Sequence, residues 1–280
     1  HRGKAAQATI AMMEAPEKDL SHLGIAVIDK NQRIVEWQEK PPKPKNNLAS
    51  MGIYVFNADF LLETLQSGIG HDFGYYIIPE IIKKAQVYAY IFRDYWRDVG
   101  TLRAYWEANM DIIRPESGFR PESWGVRANI EEEGRKGDRP PTLICHTGNI
   151  KDSVISPGCE IRGEVVRSIL SPGVKVEKGA RVIDSVVLHD CIISQGSYIE
   201  EAILDKEVLV GEQAKIGLGP SDKPNRETPH HLSCGLTVIG KLAVVPAGYL
   251  IGKNCIIYPE VKPQDYPHQE ILSGSTIKKK

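Results

Sequence analysis

The stretch GLTVIGKLAVVPAGYLIGKNCI, Gly235–Ile256, carries an apolar residue at every sixth position: Val238, Val244, Leu250 and Ile256. A period of six is neither the 3.6 of a helix nor the 2 of a simple strand. It fits a parallel β-helix, in which three short strands make one triangular turn of about 18 residues and each turn buries its apolar positions against the next. The same spacing joins Ile155 to Ile161, Leu170 to Val176, Val182 and Leu188, Ile193 to Ile199, and Val210 to Ile216. A coarser repeat runs through SVISPG from Ser153, SILSPG from Ser168, SVVLHD from Ser185 and AILDKE from Ala202, at intervals of 15, 17 and 17 residues. The segment Gly217–Ser233 breaks the period and is expected to project from the coil as a loop.

Ahead of residue 143 the texture differs. LGIAVIDKNQRIVEWQE (Leu23–Glu39) has two alternating apolar runs parted by Asp29–Gln32, which predicts a β-hairpin. Leu48–Phe56 reads as a buried strand. Ala58–Gln66 reads as an amphipathic helix with Leu61, Leu62 and Leu65 on one side, stopped by Gly68 and Gly70. Ile77–Gln86 predicts a second helix, Val87–Trp96 a strand, and Thr101–Ile113 a third helix with Thr101 as N-cap. Strands alternating with helices imply an α/β layered domain over 1–114. The proline-, glycine- and glutamate-rich stretch 115–142 suits a linker, and 143–280 is the β-helix.

Lys plus Arg number 35 and Asp plus Glu 36, so the chain lacks the positive charge from which nucleic-acid and membrane-surface binders draw affinity. No run approaches the ~18 apolar residues of a membrane span, and the first twenty residues have no signal-peptide core. The five cysteines form no metal-binding spacing, so reduced, buried thiols and a cytoplasmic location are expected.

Three segments of the first domain concentrate polar chemistry. Glu39-Lys40-Pro41 ends a hairpin strand, offering a compact cation for a phosphate and a carboxylate for hydroxyls. Ser50-Met51-Gly52 brings a hydroxyl and a glycine that permits close backbone approach. Trp96-Arg97-Asp98-Val99-Gly100-Thr101 places an acid between a strand and a helix N-terminus, where an Asp can hold Mg2+ shared with a nucleotide.

The succession of the Glu-Lys-Pro strand end, SMGIYVF, HDFGxxIIP and YWRDVGT, continuing through GLTVIGKLAVVPAGYLIG, resembles the ADP-glucose pyrophosphorylase (glucose-1-phosphate adenylyltransferase) family over essentially the whole chain. The resemblance implies a Rossmann-like nucleotidyltransferase domain, incomplete at its N-terminus, followed by an all-β left-handed parallel β-helix. It implies that Gly24, Glu39, Lys40 and Ser50, with Gly52, line a glucose 1-phosphate pocket. Lys40 would hold the phosphate and Glu39 the sugar hydroxyls, while Asp72, Phe73 and Gly74 would shape the sugar site. Tyr75 and Tyr76 depart from the polar residues usual there. Asp98 matches one of two aspartates that hold the catalytic Mg2+. ATP as second substrate, a small-molecule allosteric effector, a homotetramer and a place in glycogen biosynthesis follow from the same resemblance.

No Gly-rich nucleotide loop precedes Leu23, and the second aspartate is expected upstream of His1. This chain alone is therefore expected to be a poor catalyst, with an incomplete sheet that exposes an apolar strand edge. Rival readings are another sugar nucleotidyltransferase, a non-catalytic assembly or regulatory subunit, and a hexapeptide acyltransferase with His146, His189, His230 or His231 as base. The tail Lys278-Lys279-Lys280 reads as a solvated end.

Overall fold

A computed structural model describes residues 1–120 and 139–280, and the chain forms two compact units, His1–Trp96 and Arg97–Lys280. Most of the stretch expected to be a linker, residues 121–138, lies outside the described residues.

In the first unit a five-stranded sheet runs in the order β3-β2-β4-β1-β5. The hairpin is present as β2 (Gly24–Ile28) and β3 (Ile34–Glu39), paired antiparallel. Asp29 shapes its turn, because one carboxylate oxygen accepts from the Asn31 and Arg33 amides at 2.8 and 2.9 Å. β4 (Leu48–Phe56) lies beside β2. β1 (Ala8–Glu14) was not read from the sequence, yet it is an inner strand, antiparallel to β4 and parallel to β5 (Val87–Ile91). Ala8, Ile10 and Met12 are fully buried on its inner face. β5 is shorter than the predicted 87–96 run, and after the Phe92 amide bonds Met12 O the chain turns irregular.

β4 is buried only in its first half, because a bulge interrupts its pairing with β1 between Met12–Ser50 and Ile10–Tyr54. Gly52 sits in the bulge at φ +71°, a conformation that favours glycine. Beyond it, Tyr54 and Phe56 pack on Phe73, while Ile53 and Val55 are about half exposed. The apolar exposure expected at a strand edge thus includes these two residues of an inner strand.

Helix α1 (Ala58–Gln66) is rotated from its expected orientation. Phe60, Leu61 and Thr64 turn inward, whereas Leu62 and Leu65 are exposed. Thr64 tolerates burial because its hydroxyl donates to Phe60 O at 2.7 Å. After Gly68 and Gly70, both at positive φ, a π turn (Phe73–Ile77) leads into α2 (Ile78–Lys84).

The second unit opens with α3 (Leu102–Met110), capped as expected by Thr101, whose hydroxyl accepts from the Ala104 amide at 3.1 Å. The domain boundary read from composition fell after this helix; the compact units divide before it. The reason is packing. Trp106 and Met110 cover an outer face of the solenoid formed by Ile169, Val186 and Ile203, and the Trp106 indole donates to Asp184 O at 2.8 Å.

The remainder is a parallel β-solenoid of three sheets, with the left-handed hexapeptide pattern. Ile161, Val176, Ile193, Val210 and Val245 stack in register along one sheet, Val165, Val182, Ile199, Ile216 and Ile251 along the second, and Leu170, Val187, Leu204, Ile239 and Ile257 along the third. All of these are buried, each contributing roughly 1.5–3 kcal/mol relative to exposure. The turn length is 17 residues from Ile144 to Ile161, 15 from Ile161 to Val176, 17 from Val176 to Ile193 and 18 from Ile239 to Ile257.

The six-residue period is present, and its register holds from Ile155 to Ile216 apart from Leu188; over 238–256 it is shifted by one residue. Ile239, Val245, Ile251 and Ile257 point inward, and so does Val187; the chosen Val238, Val244, Leu250, Ile256 and Leu188 are their outward neighbours. Those outward positions are apolar for a separate reason. Val238, Ile256 and Leu188 lie in the cluster covered by α3 and Leu232.

Corners are held by a buried serine ladder. Ser153 Oγ accepts from the Ser168 amide, Ser168 Oγ from the Ser185 amide and Ser185 Oγ from the Ala202 amide, each at 3.1 Å. The preceding residues Asp152, Arg167, Asp184 and Glu201 all adopt φ between +43° and +47°. At other corners Cys159, Cys191 and Cys255 fill small inward positions, and burial pushes the Cys191 thiol up to about 12.

The 217–233 segment is free of strands, as expected, but it lies against the coil instead of projecting. Asn225 and Leu232 are buried, and Asn225 Nδ2 donates to Asn254 O at 3.1 Å. The C-terminal lysines are also engaged: Lys278 pairs with Glu227, Lys279 with Glu260, and the Lys280 amide donates to Asp265 at 3.1 Å.

Ser185→Ala is expected to cost about 1–3 kcal/mol, because the buried Ala202 amide loses its acceptor, seen as a lower urea midpoint with an unchanged far-ultraviolet spectrum. Iodoacetamide at pH 8 should label Cys145 and Cys234, which are partly exposed, before Cys159, Cys191 and Cys255; early labelling of Cys191 would contradict its burial as a protonated thiol.

Candidate functional site

The polar residues singled out in the first unit converge on the Glu39 carboxylate. Glu39 ends β3 opposite Gly24 on β2. A side chain at position 24 would overlap both the Trp37 ring and the Glu39 carboxylate. On the other side stands Gly74, where a Cβ would collide with both carboxylate oxygens. The Glu39 carboxylate in this position thus lies in the space that a side chain at either glycine would take. The Trp37 indole, two residues back on the same strand face, donates to Glu39 Oε2 at 3.3 Å.

Gly74 is brought there by the π turn. Asp72 caps that turn, accepting from the Tyr75 amide at 2.8 Å through its side chain, while its backbone carbonyl accepts from the Tyr76 and Ile77 amides at 3.1 Å. Phe73 stacks on Tyr54 with ring centroids 5.3 Å apart, and the nearby Ser50 hydroxyl works to lower the Tyr54 phenol. Ser50 Oγ also accepts from the Gly52 amide at 3.1 Å, linking the hydroxyl to the bulge. Tyr75 and Tyr76 are exposed beside this group.

Electrostatics follow from the enclosure. Burial raises the Glu39 carboxyl above its ordinary value; the Trp37 N–H and the Lys40 charge work against that rise, and Asp72 adds to it. Burial likewise raises the Tyr54 phenol, with the negative charge of Glu39 and Asp72 contributing. Lys40 is exposed in the left-handed region at φ +45°, its amide bonded to Leu23 O at 3.1 Å. A non-glycine residue there carries local strain of order 1 kcal/mol, a feature that clusters at ligand sites.

Gly24, Glu39, Lys40, Ser50, Gly52, Asp72, Phe73 and Gly74 thus belong to one neighbourhood of the first unit. Asp98 belongs to the segment that opens the second. It is exposed, and its Oδ2 accepts from the Gly100 amide at 3.2 Å. Its neighbour Arg97 is tied to α3 through Glu107 at 2.6 Å and Asp111 at 2.8 Å, which anchors the start of that connection. Among the described residues no group of three or more His, Cys, Asp or Glu could hold a metal. A single exposed carboxylate still suits Mg2+, which keeps waters and shares phosphate oxygens.

Trp37 and Tyr54 were missed by sequence reasoning. Strand alternation could have found Trp37, at i−2 from Glu39; the bulge between Ser50 and Tyr54 hides the second pairing. The histidines considered for acyl transfer are dispersed: His146 is exposed near the first solenoid turn, and His230 and His231 lie exposed on the 217–233 segment. No helix among the described residues is long and apolar enough to cross a membrane.

Residues 1–114 match the nucleotidyl transferase family, and residues 142–239 match the GlmU-like C-terminal hexapeptide family. Glucose-1-phosphate adenylyltransferase of Acetivibrio thermocellus is 39% identical over 100% of this chain, which covers 66% of that protein. Those of Thermomicrobium roseum and Fervidobacterium nodosum are each 39% identical over 99% of this chain, which covers 65% of either. The chain spans just under two thirds of the length of these relatives. The chain thus carries a nucleotidyl transferase segment followed by a GlmU-like hexapeptide segment, and over nearly its whole length it is similar to glucose-1-phosphate adenylyltransferases.

Proposed function

We propose that the protein contributes the sugar-phosphate side of an adenylyl transfer that converts ATP and glucose 1-phosphate into ADP-glucose and pyrophosphate, the step that supplies glycogen synthesis. The observation that carries this reading is the enclosed Glu39 carboxylate with the Lys40 cation next to it, one group suited to hydroxyls and one to a phosphate on the same sugar. The relatives, whose names state that activity, support it.

In this reaction a phosphate oxygen of glucose 1-phosphate forms a bond to the α-phosphorus of ATP. The bond from that phosphorus to the bridging oxygen breaks, and pyrophosphate departs with the electron pair. The protein's part is positioning and charge neutralisation. Lys40 holds the sugar phosphate and offsets its charge as the two anions approach. Glu39 accepts from glucose hydroxyls, Ser50 and the Gly24 and Gly52 backbone fit the ring, and the Asp72-capped turn with Phe73 and Gly74 sets the wall behind Glu39. Asp98 would hold Mg2+, which supplies charge stabilisation at the nucleotide phosphates. A cytoplasmic location, a homotetramer and a small-molecule effector complete the proposal by family analogy.

Lys40→Ala is expected to raise KM for glucose 1-phosphate at least about tenfold, the scale of a lost charged hydrogen bond, with KM for ATP little changed. Pyrophosphate-release kinetics on the whole protein test this, and equal losses for both substrates would remove the assigned role. Asp98→Asn should lower kcat by roughly a hundredfold or more with an unchanged melting temperature; an undiminished kcat takes Asp98 out of the metal site.

A further inference from the structure

The Glu39 carboxylate is supported by a group that the sugar-phosphate reading does not use. The ring of Trp37 is buried and belongs to the core cluster of the first unit, with Ile34, Leu48 and the α2 side chains Ile78 and Ile81. Its only polar atom, Nε1, emerges at the surface of that core and donates to Glu39 Oε2. The ring can occupy this place because residue 24 has no side chain, and the carboxylate can lie beside it because residue 74 has none. A flexible glutamate side chain is thus tied by the indole N–H in the space that the two glycines leave open. Oε2 is committed to the indole, and Oε1 is the oxygen left for a ligand.

We propose that Trp37 is a positioning residue for sugar recognition, fixing the Glu39 carboxylate so that Oε1 is presented to the hydroxyl groups of the hexose phosphate. This inference rests on the proposed glucose 1-phosphate reading of the site. A packing role alone would ask only for a large apolar ring, which phenylalanine supplies. The indole N–H adds an oriented, charge-assisted donor, and it also holds the Glu39 carboxyl down against the rise that burial produces.

Trp37→Phe separates the two roles, because it keeps a buried ring and removes the donor. In the whole protein it should raise KM for glucose 1-phosphate about tenfold while leaving KM for ATP and the melting temperature nearly unchanged. Loss of the donor raises the Glu39 carboxyl further, so the acid limb of kcat/KM for glucose 1-phosphate should move to higher pH. A structural role would not produce that shift. An unchanged KM and pH profile, or equal weakening of both substrates with a lowered melting temperature, overturns the proposal.

A second measurement does not depend on the variant folding. In the unmutated protein the Trp37 indole N–H proton resonance should move on addition of glucose 1-phosphate and again on acidification through the Glu39 titration. A resonance indifferent to both also overturns it. If the unmutated protein shows no saturable response to glucose 1-phosphate, the sugar-phosphate reading itself fails; a saturable response unaffected by Trp37→Phe defeats only the role of Trp37.

Discussion

The solenoid depends on one constraint: the inward side chain of each strand has no neighbour to pack against except the same position one turn away. Ile161, Val176, Ile193 and Val210 illustrate it, buried in a single column by parallel pairing. A turn can lengthen only where its extra residues leave the column undisturbed, as the 217–233 segment does between Val210 and Val245. The corners must then repeat as well. That is why serines recur at 153, 168 and 185, each spanning to the next turn's amide, and why the residue before each serine accepts a left-handed backbone. Opposite charges stack at the same intervals on the outside, Arg181 on Glu164 and Arg167 on Asp184. These half-exposed pairs add at most about 1 kcal/mol each, so the columns dominate.

The first unit obeys a different constraint, the need to bury one face of a twisted sheet. β4 sits at its centre with β1 beside it, and the π turn and α2 add Ile77, Ile78 and Ile81 to the same core. The same turn that closes the core delivers Gly74 to Glu39. Core and site are therefore coupled: Asp72 fixes the turn, the turn fixes Gly74, and the wall it provides limits where the carboxylate can go. Insertions of the π type commonly appear where a helix start must re-aim its backbone at a ligand site.

How much of this was legible in the sequence depends on how many explanations an apolar residue admits. The repeat was legible because six-residue spacing has few causes. Its register was legible from Ile155 to Ile216 but not over 238–256, because Val238 beside Ile239 and Ile256 beside Ile257 are apolar on both faces, one lining the coil and the other lying under α3. The same ambiguity hides the packing of α3, since nothing local in Trp106 or Met110 says that they cover a solenoid face. β1 was missed for lack of a turn signal ahead of it. The hairpin, by contrast, announces itself through Asp29, whose carboxylate organises the turn.

The candidate site shows the limit of reading glycine as freedom. Gly52 needs its positive φ, and the sequence argument for flexibility applies to it. Gly24 and Gly74 have no such need; there the Trp37 ring and the Glu39 carboxylate occupy the volume a Cβ would take. Only the fold brings residues 24, 37, 39 and 74 together, so no local pattern could reveal that requirement. The consequence for chemistry is an acceptor oriented before any ligand arrives. Burial makes its charge costly, and the indole N–H and Lys40 partly offset that cost. A reaction between two anionic phosphates asks a protein mainly to hold groups still, and a carboxylate walled by two glycines and tied by an indole loses little further freedom when a sugar binds.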